Sequence, residues 1–162
     1  MNIRRLLPVL LSAILLCSCT HCKRQRQYNA GIDSIKAQLD TLLGSEGAQI
    51  DSLACLGMAK AGDSTDYYYF LLYRASTKMW ANDSVATDSL LRKFWQYAGR
   101  TQTSPRQNDL FAKYYVLKGN HATVNYKIKD ALRYYKAAYL YQEKGTNSLY
   151  KTTILTDLSD NY

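Results

Sequence analysis

Proline and glycine are scarce, two and eight in 162 residues, so the chain has few obligatory breaks. With 47% hydrophobic and 21% charged residues, that composition excludes disorder and describes one folded helical domain. Histidine and glutamate are nearly missing as well: His21, His121, Glu46 and Glu143 are all there are. General acids and bases come mostly from such groups, and no glycine-rich phosphate loop, nucleophile elbow or helix-borne metal pair compensates. The expectation is a non-enzyme with no catalytic residue, no metal and no cofactor. His121 falls near a helix end, where exposure is the ordinary state. Phenylalanine is also rare, three against fifteen tyrosines. Rings that bury a face and keep a wet hydroxyl suit a thin fold with little deep interior.

A long apolar run is lacking. The longest, Leu6 to Leu16, is too short to span a bilayer, but it follows Arg4 and Arg5 and leads into Leu16, Cys17, Ser18 and Cys19. That order reads as a secretory leader, and it is similar to the bacterial lipobox, with Cys19 as the lipidated residue. Several acyl chains anchor firmly where one is marginal. The organisation expected is a signal peptide over 1–18, a lipidated cysteine with a flexible basic tether over 19–30, and a helical repeat domain over 31–162. Cys17, Cys19, His21 and Cys22 are four metal-ligand types close together, but no second cluster follows to close a site. Cys22 and Cys55 could pair in an oxidising compartment; Cys55 otherwise reads as a small core residue.

The formal charge is +8, or +6 without Arg4 and Arg5, and the cations are spread from Lys23 to Lys151. Dispersal reads as a generally basic surface, not a nucleic-acid stripe. For an exported chain, anionic headgroups or polysaccharide fit such a surface better than DNA does.

Apolar residues recur at helical spacing in successive segments. Ile32 to Leu43 makes a first helix before Gly44, and Ile50 to Lys60 a second before Gly62. Asp66 to Trp80 follows, with Asp63, Ser64 or Thr65 to cap it. Residues 82–87 read as a polar linker with Thr87 or Asp88 capping a helix that runs to Gly99. Thr101 to Gln107, with Pro105, reads as the longest loop; Asp109 to His121 and Ile128 to Glu143 form the next pair, closed by Gly145 as a left-handed cap. Ser148 to Ser159 opens one further helix. The expected fold is all-α, with antiparallel helix pairs stacked as a short solenoid.

Within the last pair, Tyr115 and Gly119 on one helix face Ala131, Tyr135 and Ala138 on the other. Close helix crossing needs small residues on one side and a ring to fill the gap. With Tyr68, Leu71, Leu72 and Ala75 and the run Thr87 to Leu91 upstream, this pattern resembles the tetratricopeptide-repeat lipoproteins of Bacteroidetes. The resemblance implies a TPR-like solenoid, lipid-anchored in the cell envelope at the outer membrane or facing the periplasm, that binds a protein or peptide and no nucleic acid. It also implies that the first helix of each pair lines a groove, with Lys113, Val116, Asn120 and Val124, and by analogy Tyr69 and Ser76, as the binding residues. Two alternatives stay open: the front part of an envelope sensor, and a glycan-binding lipoprotein whose tyrosines stack on sugar. Exposed coplanar rings would mark the glycan binder, and rings packed between helices the scaffold.

Overall fold

A computed structural model describes residues 30–42, 47–98, 104–146, 154–156 and 158–159. The expected leader, Cys19 and the expected tether up to residue 29 lie outside them, as do Cys22, Gly44, Glu46 and Gly99. The chain divides into two compact units, Met1–Thr41 and Leu42–Tyr162. In the first, residues 30–41 form α1, which buries Ile32, Ile35 and Leu39 along one stripe.

The second unit is all-α, with α2 at Gly47–Lys60, α3 at Ser64–Trp80, α4 at Ser84–Ala98, α5 at Pro105–Val124 and α6 at Ile128–Gln142. No strand occurs among the described residues. The helices α2 and α3, α3 and α4, and α5 and α6 pack antiparallel through three-residue turns, and α3 also packs on α5, so the first helices of two successive pairs are neighbours. The all-α class with stacked helix pairs is therefore the observed one.

Local chemistry sets the boundaries. Asp63 caps α3 by accepting the Asp66 amide at 2.7 Å. Ser104 and Gln107 form a capping box at the start of α5 with Pro105 in its first turn, where a missing N–H costs nothing. The expected loop through Gln107 is thus corrected: Pro105 begins a helix instead of interrupting the chain. A second correction concerns α4, which starts four residues earlier than the polar run suggested. Asp83 accepts the Ala86 amide at 2.9 Å, while Thr87 is fully buried and donates its hydroxyl to the Asp83 carbonyl. A buried threonine and a capping one look alike in sequence, which is why Thr87 and Asp88 read as caps there.

The two pairs turn in the same way. Asn82 and Tyr126, 44 positions apart, both take left-handed backbone with φ of 56° and 59°. In each turn the following amide reaches back, Asp83 to the Lys78 carbonyl at 2.9 Å and Lys127 to the Ala122 carbonyl at 2.8 Å. The same offset maps Ala75 onto Gly119 and Thr87 onto Ala131, all buried where helices cross. The 44-residue offset exceeds the 34 residues usual in a tetratricopeptide unit, the helices here being longer.

Gly145 does not take the left-handed conformation; α6 ends on Glu143 in right-handed backbone. Its glycine is required by space, since a Cβ there would overlap the Asp109 carboxylate. That carboxylate accepts the Thr146 amide at 3.0 Å, and Asn108 donates to the Lys144 carbonyl at 2.9 Å, so the start of α5 holds the end of α6.

The main core joins Leu71, Leu72, Ala75 and Met79 of α3 to Leu91 and Phe94 of α4 and to Leu110, Phe111, Tyr114 and Leu117 of α5. Ile154 is fully buried with Val116 and Ala138, which places the last described helical residues over the α5/α6 pair.

Candidate functional site

The seam between α3 and α5 carries a buried polar cluster. Helical spacing sets Tyr69 and Tyr73 one turn apart on α3, with hydroxyls at 3.3 Å. From α5, the Lys113 ammonium sits directly over the Tyr73 ring and 5.0 Å from the centre of the Tyr69 ring. Lys113 is only 6% exposed, so two ring faces stand in for much of its water.

Of the six residues expected along a groove, Tyr69 and Lys113 are brought together in this cluster. Ser76 is half-buried further along α3. Val116 points into the core with Ala138 and Ile154. Asn120 is turned to α6, where its side-chain oxygen accepts the Tyr135 hydroxyl at 2.7 Å. Val124, the last residue of α5, is exposed. Residues expected to face one groove are therefore divided among the seam, the core, the α5/α6 contact and the turn.

The α5/α6 contact is tight because Gly119 admits the Tyr135 ring: a Cβ at 119 would overlap it. Ala131 and Ala138 are fully buried, Tyr135 nearly so, and Tyr115 is half-buried against Tyr141 and Tyr134. Gly57 and Phe70 repeat the device between α2 and α3, though no repeat motif around Gly57 marks it in the sequence.

Rings cross the molecule in a continuous seam. Tyr68 stacks on Tyr97 at 3.8 Å, Phe94 on Tyr114 at 5.0 Å, and Phe111 on Tyr141 at 4.8 Å. Burial, with Tyr115 and Tyr134 adding to it, pushes the Tyr114 hydroxyl up to about 12. Burial also raises Tyr115. Among the described tyrosines only Tyr126 is exposed.

Asp51 of α2 receives Arg74 at 2.9 Å and Lys78 at 3.3 Å from α3. Partial burial works to raise its pKa, but the hydrogen bonds and charges of the two cations outweigh it and hold the carboxyl below its ordinary value. His121 is half-buried instead of exposed, with Nδ1 3.7 Å from Asp88 and Nε2 3.5 Å from Ser84. Cys55 is exposed, which corrects its reading as a core residue. Among the described residues no group of three or more His, Cys, Asp or Glu could hold a metal ion, and no helix is long and apolar enough to cross a membrane.

The fold and this arrangement define an all-α, helical-repeat-like protein. Compared with protein-family models, curated proteins and solved structures, the chain matches none.

Proposed function

We propose that the chain is a lipid-anchored, TPR-like scaffold that holds a protein or peptide partner in the bacterial cell envelope, with acylated Cys19 as its anchor and the α3/α5 seam as its binding face. The observation that carries this reading is where the tyrosines lie. The described tyrosines other than Tyr126 pack between helices as structural rings, Tyr114 at 7% and Tyr135 at 2% exposure, instead of standing out as coplanar platforms for sugar. Rigid paired helices that present a fixed seam suit recognition of an extended or helical segment. Lys113 places its side-chain nitrogen over two rings in that seam, and Tyr69 sets a hydroxyl beside the Tyr73 hydroxyl.

The experiment places a photo-crosslinking residue at Ser76 of the full chain, expressed in its own host, and takes the intact mass after membrane extraction. The expected result is an acylated chain beginning at Cys19 that carries one discrete protein adduct, with no such adduct when the crosslinker is placed at Cys55. An unacylated chain would remove the anchor, and adducts equally abundant from both positions would remove the seam as the binding face.

A further inference from the structure

The turns that link the helices of the α3/α4 and α5/α6 pairs lie side by side, because His121 in the last turn of α5 reaches Ser84 and Asp88 in the first turns of α4. At this edge the chain exposes Trp80 (67%), Val85 (83%), Val124, Tyr126 (91%) and Ile128. Five of the nine large exposed apolar residues among those described are thus gathered on two adjacent turns. A single exposed valine needs no account, but a cluster at one end of a molecule does. Tyr126 adds a second oddity: a bulky residue in left-handed backbone, where glycine or asparagine is usual, with its ring in water.

The charges beside this edge decide its occupant. Its carboxylates are engaged within the fold: Asp83 caps α4, Asp88 faces His121 and Asp130 lies 3.5 Å from Arg133. Lys127 and Lys129 flank Tyr126 and Ile128 as exposed cations with no carboxylate in ion-pair range among the described residues. Tryptophan and tyrosine at the tip, short aliphatics between them and lysines around them match the headgroup boundary of an anionic bilayer: rings settle at the interface, aliphatics enter the acyl region and ammonium groups meet phosphate.

We infer that the α3/α4 and α5/α6 turns form a membrane-docking edge that seats this end of the repeats on an anionic lipid surface. The inference goes beyond the scaffold reading and needs neither acylation nor a groove ligand. Its role is orientation: an edge-on helix pair stands upright on the bilayer and keeps the far ends of its helices in water.

Trp80 and Trp95, the two tryptophans of the chain, make the test direct. Trp95 lies 11 residues into α4, about 16 Å from the edge at 1.5 Å per residue. The full chain is added to phosphatidylcholine vesicles with or without phosphatidylglycerol, each carrying brominated acyl chains that quench tryptophan. With Trp95→Phe, leaving Trp80 as reporter, fluorescence should be quenched and blue-shifted on anionic vesicles; with Trp80→Phe, leaving Trp95, it should change little. The pair Lys127→Ser and Lys129→Ser should weaken partition about 25-fold, since each lysine near an anionic surface contributes on the order of a fivefold factor. Circular dichroism keeps misfolding apart from lost docking. Equal quenching of both tryptophans, or binding through the N-terminal segment that ignores the lysine changes, would overturn the inference. So would a concentration-dependent dimer that Tyr126→Ser dissolves, since the edge would then belong to a second copy. None of these outcomes bears on acylation of Cys19 or on the crosslink from Ser76.

Discussion

Tyr126 and Gly119 show single residues working against local preference, with opposite outcomes. Left-handed backbone costs a non-glycine residue about 1 to 2 kcal/mol, and Tyr126 recovers nothing from packing at 91% exposure. Tyr126→Gly should therefore raise stability by about 1 kcal/mol, read as a higher midpoint in urea, while it weakens docking at the edge. Gly119 sits mid-helix, where alanine is normally better by about 1 kcal/mol. Here the added methyl meets the Tyr135 ring, whose hydroxyl is tied to Asn120 at 2.7 Å and Thr123 at 3.3 Å and cannot slide aside. Overpacking of about 1 to 3 kcal/mol outweighs the propensity gain, so Gly119→Ala should lower the melting temperature. Gly31→Ala, where the Cβ meets open space, should not.

At the scale of elements, α2 is held to α3 by one steric device and one electrostatic one. Gly57 admits the Phe70 ring, and Asp51 meets Arg74 and Lys78. The folded Asp51 carboxyl lies below its unfolded value of about 4, so its contribution is present above that pH and fades as pH falls through the folded value. Melting temperatures across the acid range should show Asp51→Asn less stable than the parent near neutrality, with the two curves converging in acid. Helix α5 depends on its start: Ser104→Ala breaks the capping box and should cost about 0.5 to 2 kcal/mol in chemical denaturation. An unchanged midpoint would mean that Pro105 alone sets the helix start.

Across the whole molecule, the ring seam links α3, α4, α5 and α6. Tyr114 lies in its middle with a pKa pushed up from about 10 to about 12 by burial. A raised folded value means that stability is intact below about pH 10 and falls as pH climbs toward 12. Ultraviolet titration should show a tyrosine that ionises only as the helical signal collapses, and Tyr114→Phe should make that alkaline loss shallower. Should Tyr114 titrate near 10 with the fold intact, the seam would be looser than its geometry.

The helices and their antiparallel order were legible in the residues because they rest on short-range physics. The stripe Ile32, Ile35 and Leu39, the cap at Asp63 and the three-residue turns each involve neighbours within one or two helical turns. The spacing that sets a small residue against a ring at Gly119 and Tyr135 is local in the same sense. Reading failed where one residue type serves two purposes. Thr87 could cap or be buried, and Pro105 could break or begin a helix; only the position of Asp83 and the reach of Gln107 back to Ser104 separated them. What tertiary structure alone decided is which face each helix turns to which neighbour. That rotation buried Lys113 under two tyrosines from a helix some forty residues away in sequence and turned Asn120 toward Tyr135. It also brought two distant turns together at one apolar edge. Periodicity shows that a helix has an apolar face; only the crossing of helices settles whether a polar residue beside that face meets water, a ring or another turn.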